Sequence, residues 1–367
     1  MPEMTRRLPR SAWSGRARCL PAAPAVVALV AGLTVLPWLV NGYVITVATT
    51  VLIFGLLALS TQWLAATAGL HTIGQGAYLG VGAYTAAIVA EHVTASGPVQ
   101  TVAAAGAAAT AGGLVGAVAY RARGVTYLMI TLAVGELAGV IAVQARPVTG
   151  GSDGLHVPPV LPLPGLGPLL RDGWAYLYVL AWTVAITGGM VVAHRSRFGL
   201  ILRGVAGHEP RMRANGHPVP RHLIAAQALA AAVAGAAGAL AAAAHHYLSP
   251  ADLAFDVSAL ALVAAIVGGR SITLTLLTAA ALIVVRDWAA PVTGAHAPLL
   301  LGMVFLLVAY APLRHTPCRW WRRVGPWPRR DATRPQLGAA RTDMRSSTAA
   351  PRTDMEPAQD QVQEPAR

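Results

Sequence analysis

Apolar runs at residues 24–40, 44–66, 76–92, 99–119, 124–143, 174–193, 222–244, 256–269, 272–285 and 298–313 alternate with short breaks marked by glycine, proline or charge. Most are close to the roughly 17–25 residues that a helix needs to cross a hydrocarbon core. The pattern predicts an all-α, polytopic transmembrane helix bundle of about 10 spans (8–10). The runs at 256–269 and 272–285 leave that number open. Helices of that length rise about 21 Å against a core of about 30 Å, so they form short interior spans or one re-entrant pair. The first run follows Arg16 and Arg18 as a secretory signal would, but it continues past signal length to Asn41-Gly42, with Trp38 and Tyr43 suited to an outer interface. It is read as a retained span.

Charge orients the bundle. The chain has no lysine, and with the N-terminus inside, the connections that fall in the cytoplasm carry fourteen arginines before the C-terminal tail is counted. Only Arg146, Arg171 and Arg286 fall outside. That asymmetry is the positive-inside pattern and places both termini in the cytoplasm of a multi-pass inner-membrane protein. At 55% hydrophobic and 12% charged residues, the chain has too little polar surface to coat a soluble globule. The pI near 10.9 does not indicate nucleic-acid binding, since the arginines sit at span ends and in the tail and form no basic face with interleaved aromatics. Cys19 and Cys318 belong to no CxxC and imply neither a disulfide nor a zinc site.

Three regions follow: a basic cytoplasmic lead at 1–23, a membrane domain at 24–313 with an inside connection at 194–221, and a basic tail at 314–367. The tail repeats Arg341-Thr342-Asp343-Met344 as Arg352-Thr353-Asp354-Met355, has little to bury, and is expected to be disordered. Its Arg319-Trp320-Trp321-Arg322-Arg323 cluster, next to the last span, suits anionic membrane lipid. Small residues at Gly76-x-x-x-Gly80, Gly112-x-x-x-Gly116 and around Gly235 and Gly238 predict close helix packing.

Three breaks carry more than turn chemistry. The stretch from Gly69 through Gly74, Gln75 and Gly76 to Tyr84 is glycine-dense enough to interrupt a helix at membrane depth. Irregular backbone is tolerated there only where protein or an aqueous cavity covers it, so the bend either lines a pathway or is a tight turn between packed spans. Glu136 lies mid-span, where an ionised carboxylate costs on the order of a few kcal/mol. It is expected to face the bundle interior, in a fixed interhelical hydrogen bond or in a polar conduit or gate. Residues 196–219 of the inside connection predict a short amphipathic helix opened by Glu209-Pro210 and closed by a left-handed cap at Asn215-Gly216. That segment is either a solvated connector or a docking surface for a cytoplasmic partner.

Taken in order, Gly69 to Tyr84, Gly124-Val125-Thr126-Tyr127 leading to Glu136, Thr149 to Leu155 with Gly150, Gly151 and Ser152, Ser196-Arg197-Phe198-Gly199 to Gly216, Ala234 to Leu240, and Val267-Gly268-Gly269 resemble the LivM-type permease subunits of branched-chain amino acid ABC importers, over about residues 25–312. The resemblance implies an importer permease for branched-chain or related amino acids whose inside loop resembles a coupling helix. Arg197, Phe198, Gly199, Arg203, Glu209, Arg211 and Gly216 would then meet the ATPase. Gly69, Gly74, Gln75, Gly76, Tyr84, Glu136, Gly150, Gly151 and Ser152 would line the substrate path. The chain departs from the family in Arg270-Ser271-Ile272-Thr273 after the glycine pair, and in Pro210 with Arg211 and Arg213.

A GxxxxGK[ST] phosphate loop needs its lysine, and this chain has none. It is expected to be no enzyme and to bind no cofactor itself, with ATP and Mg held by separate ATPase subunits. The other implied partners are a second, LivH-like permease subunit, an extracytoplasmic substrate-binding protein and membrane lipid. Two alternatives stay open: a urea or short-chain amide ABC permease, and an ion-coupled secondary transporter using Glu136 as its carrier.

Overall fold

The structure is a computed structural model that describes residues 22–158, 172–293 and 302–303. All of these belong to one compact unit, residues 1–312. The apolar run at 298–313, the tail and most of the basic lead lie outside the described residues.

The fold is all-α apart from one short ladder. Its helices are α1 (Ala22–Leu39), α2 (Gly42–Trp63, prolonged by a π-helical turn at Leu64–Ala68), α3 (Gln75–His92), α4 (Gly97–Ala119), α5 (Val125–Gln144), the four-residue α6 (Arg146–Thr149), α7 (Asp172–Arg195), α8 (Arg197–Ala214), α9 (Val219–His245), α10 (Phe255–Gly268) and α11 (Ile272–Thr293). Every predicted run within the described residues is therefore helical. Among the described residues, five helical stretches are long and apolar enough to cross a membrane: Gly42–Ala68, Gly97–Ala119, Val125–Gln144, Gly173–Arg195 and Val219–His245.

The pair left open in the sequence resolves unequally. Helix α10 keeps its 14 residues, whereas α11 extends to 22 and continues through Arg286 and Asp287. The charged pair ends the apolar run in the sequence but does not end the helix; Tyr43 at the start of α2 donates its hydroxyl to Asp287 Oδ2. The other addition is a two-residue antiparallel ladder, β1 (Leu155–His156) with β2 (Tyr247–Leu248), pairing Leu155 with Leu248 and His156 with Tyr247. It closes the glycine-rich turn after α6 onto the end of α9.

Helix α9 is the axis of the bundle, with 72% of its most apolar window buried. It packs against α3 and α4 through small residues, Gly112, Gly116, Gly235 and Gly238 among those singled out in the sequence, whereas Gly76 and Gly80 lie against Ser258 and Leu253. A Cβ added at Gly238 would lie 1.9 Å from the Leu79 carbonyl oxygen, one at Gly82 2.1 Å from that of Gly235, and one at Gly112 2.3 Å from Ala231 Cβ. With no hydrophobic drive between helices in lipid, this close approach supplies the van der Waals contact that holds them. Gly238→Ala is expected to destabilise the detergent-solubilised protein by about 1–3 kcal/mol, since backbone must move to admit the methyl. Gly106→Ala, where nothing lies within 4 Å, is expected to raise the thermal midpoint slightly. Thermal unfolding of the two variants side by side checks both signs.

Candidate functional site

The α8 end of the bundle is built around the Ser196-Arg197-Phe198-Gly199 segment. Ser196 caps α8 by accepting from Gly199 N–H at 3.4 Å, and its hydroxyl donates to the Ala193 carbonyl at 2.7 Å. Gly199 has to be small, because a Cβ there would sit 2.6 Å from the His194 carbonyl oxygen. Arg203 donates to that same carbonyl at 2.9 Å, closing the end of α7 that lacks helical partners. Phe198 stacks between Trp63 of α2 (6.4 Å between centroids) and His222 of α9 (6.0 Å). The motif thus bolts α8 to α2, α7 and α9.

The helix expected to open at Glu209-Pro210 begins instead at Arg197, because the Ser196 cap and Phe198 anchor fix its start twelve residues earlier. A break remains near the expected place. His208 has φ −160° and ψ 87°, splitting α8 ahead of Pro210, where the proline ring excludes a regular helical turn before it. The expected cap is present: Gly216 has φ +80°, and Gly216 and His217 N–H donate to the Arg213 and Met212 carbonyls.

Glu209 turns inward at the break. Its Oε2 accepts from Arg123 Nε and Nη2 at 3.2 and 2.7 Å, and its Oε1 from Arg213 Nε and Nη2 at 3.0 and 2.7 Å. Burial pushes the carboxyl up, but the hydrogen bonds and charges of Arg123 and Arg213 outweigh it and hold its pKa below the ordinary value. Arg123 is a residue the sequence reading missed, having been weighed only for topology. A signal was present, since Glu209 is the one acid among the arginines of 194–221 and needs a partner. Arg197, Leu200 and Arg211 point away from the bundle. Leu200 is 64% exposed.

The glycine-dense bend lies next to this junction. The π-helical turn ends at Gly69, φ +67°, where an added Cβ would meet Ala206 Cβ of α8 at 3.4 Å. The free amides beyond it are covered by side chains: Ile73 N–H and Gly76 N–H donate to Thr131 Oγ1 of α5 (3.4 Å) and Ser258 Oγ of α10 (2.9 Å). Gly74 fits because a Cβ would lie 2.5 Å from the Thr131 carbonyl oxygen. Gln75 is fully buried, and neither side-chain polar atom has a hydrogen-bond partner among the described residues. A buried amide left unsatisfied costs about 1–3 kcal/mol.

The remaining predicted path residues are not gathered there. Tyr84 packs with Ala142 and Leu253 farther along α3. Gly150, Gly151 and Ser152 form a turn at the opposite end, with Gly150 and Gly151 at φ +72° and +64° and the Tyr247 hydroxyl bound to the Asp153 carbonyl at 3.0 Å. Glu136 contradicts its expected place: it is exposed on the outer face of α5, without a hydrogen bond or ion pair among the described residues. The reason is that α5 packs only along one edge, through Tyr127, Thr131 and Ala142, and just 17% of its apolar window is buried. A second polar cluster, unforeseen from the sequence, ties the axis together. Gln227 of α9 accepts from the Tyr127 hydroxyl at 2.6 Å and donates to the Tyr78 hydroxyl at 3.0 Å.

Residues 43–309 match a family model described as "Branched-chain amino acid transport system / permease component". The chain is 28% identical over 335 residues to the high-affinity branched-chain amino acid transport system permease protein LivM of Escherichia coli (strain K12), covering 85% of this chain and 76% of that relative. It is 27% identical over 324 residues to the protein of the same description from Salmonella typhimurium (strain LT2), covering 82% and 73%. No solved structure matches it.

Proposed function

The chain belongs to the family of branched-chain amino acid transport system permease components, and from that premise we propose how such a multi-pass membrane subunit is worked. It is the permease part of an ABC importer for branched-chain or related amino acids, with about ten spans and both ends in the cytoplasm. Residues 24–313 form the permease domain, with the 1–23 lead before it and the 314–367 tail after it in the sequence. ATP and Mg belong to partner ATPase subunits, since a lysine-free chain offers no phosphate loop. An extracytoplasmic binding protein delivers substrate.

The observation that carries this reading is the mounting of α8. Four separate elements hold its inner side, while Arg197, Leu200 and Arg211 are exposed, with no side-chain hydrogen bond or ion pair among the described residues. A rigidly seated helix with a free face at the arginine-rich end suits a groove of a motor subunit. When the ATPases close, force on α8 passes to α2 through Gly69 and Phe198, to the α4–α5 connection through Arg123, and to α7 through Arg203. The bend at Gly69 to Gly76 then changes its cover, and access alternates between the two sides.

The outward Glu136 supports a second permease subunit on the exposed face of α5, because a carboxylate at membrane depth needs protein or water beside it. It does not support an ion carrier working within one chain. The test is a complete complex in proteoliposomes. Leu200→Cys is expected to cross-link to the ATPase subunit, and Leu200→Asp to abolish ATP-driven uptake of radiolabelled L-leucine. Labelling of Leu200→Cys by an impermeant reagent from the binding-protein side would overturn the reading.

A further inference from the structure

At the end of the bundle away from α8, a cavity of about 480 Å³ lies between α2, α3, α9, α10 and α11. Its volume is in the range that holds a small-molecule ligand. Ile53, Phe54, Leu57, Leu79, Val257 and Ile283 make an apolar wall, and Arg286 and Asp287 line the same space. Neighbours in sequence, these two do not pair with each other. The Tyr43 hydroxyl holds Asp287 Oδ2, no hydrogen bond occupies Oδ1 among the described residues, and Arg286 has no hydrogen-bond or ion-pair partner among them. Arg286 is exposed and Asp287 half-buried, so at the rim of the cavity both opposite charges are open to a ligand that carries their complements.

We propose that this cavity binds the transported substrate as a small aliphatic zwitterion. Its carboxylate meets Arg286, its ammonium meets Asp287, and its branched side chain packs on the apolar wall. The guanidinium fork matches a carboxylate in two-point geometry, while an aliphatic ligand gains by leaving water for Ile53, Phe54 and Leu57. A phospholipid would satisfy the wall and Arg286 but would bring its phosphate against Asp287, so the paired opposite charges favour the zwitterion. The assignment rests on the importer reading above and adds to it a site within this chain.

The test uses the complete complex, first in proteoliposomes. With saturating binding protein and ATP, Arg286→Gln and Asp287→Asn are each expected to lower L-leucine turnover by about tenfold or more, with ATP hydrolysis retained. In detergent, without nucleotide or binding protein, tritiated L-leucine should bind the wild-type complex. It should be displaced by L-isoleucine far better than by isoamylamine or 4-methylpentanoate, each of which lacks one charge. Arg286→Gln should erase the preference over isoamylamine, and Asp287→Asn that over 4-methylpentanoate. Val257→Phe fills the cavity without touching charge and should lose binding with an unchanged thermal midpoint.

Wild-type turnover in all three variants would overturn the site alone. So would native mass spectrometry showing a retained phospholipid that Arg286→Gln releases while leucine binding persists. Absence of ATP-driven leucine uptake by the wild-type complex would overturn the importer reading, and this site with it.

Discussion

Reversing the charge at Arg123 is expected to disconnect the motor from the path without unfolding the permease. In Arg123→Glu, two carboxylates face one another where Glu209 now receives Nε and Nη2. The break at His208 lets the Glu209–Ala214 segment of α8 swing away from the α4–α5 connection. Both partners are partly exposed, at 37% and 25% of their side-chain surface, so the pair adds little to global stability. Under the proposed coupling, its value lies in transmission. Transport-coupled ATP hydrolysis should fall by about tenfold or more, the scale of an ordinary coupling free energy, while the thermal midpoint stays close to wild type. Arg123→Gln and Glu209→Gln should each give a smaller loss. Their combination should be no worse than Glu209→Gln alone, which already removes the Arg123 contact together with that of Arg213. Additive losses, or an Arg123→Glu complex that still couples, would reject the strut.

The same carboxylate sets a pH signature. Arg123 and Arg213 hold the folded-state pKa of Glu209 below its ordinary value. The contribution of the contact is therefore complete above the ordinary carboxyl range and disappears as pH falls through the lowered folded value. Coupling should tolerate mild acid, and Arg213→Gln, which removes one of the two cations, should move the acid limb upward.

The division of work within 197–216 shows what the chain alone could disclose. Arg211 and Glu209 look equivalent as charged residues of one amphipathic stretch, yet Arg211 points outward and Glu209 is folded back onto Arg123. Helix periodicity places residues on faces, but the kink at His208 resets the phase, and a kink of this kind is visible only in backbone angles. The spans, the glycine seams on α9 and the cap at Gly216 were legible because each follows from local chemistry: apolar length, absence of a Cβ, a left-handed φ. Glu136 was misplaced for the opposite reason. Its expected inward direction assumed that one chain makes the whole protein–lipid boundary, whereas the sparse packing of α5 leaves that face for another surface. The Tyr127–Gln227–Tyr78 cluster joins residues 100 and 149 positions apart, a separation that no local pattern encodes.

Two buried glutamines should respond to the same substitution with opposite signs. Gln227 is satisfied on both sides of its amide, so Gln227→Leu strands the buried hydroxyls of Tyr127 and Tyr78. It should cost about 1–3 kcal/mol for each hydroxyl left without a partner, seen as a lower thermal midpoint and poorer recovery of folded protein. Gln75 has neither amide atom paired among the described residues although it is fully buried, so Gln75→Leu removes an existing penalty and should raise the midpoint. A side chain kept at such a cost at the first turn of α3, beside the bend that touches α8 through Gly69, is expected to find its partners in the other access state, in water or in substrate passing through. Gln75→Leu should therefore trap the more stable state and reduce ATP-driven leucine uptake by about tenfold or more, as a bias of roughly 1.4 kcal/mol between two states requires. Thermal unfolding and uptake measured on the same preparations separate the cases. A destabilised Gln75→Leu, or a stabilised one that transports at the wild-type rate, would mean that the bend is a fixed turn after all.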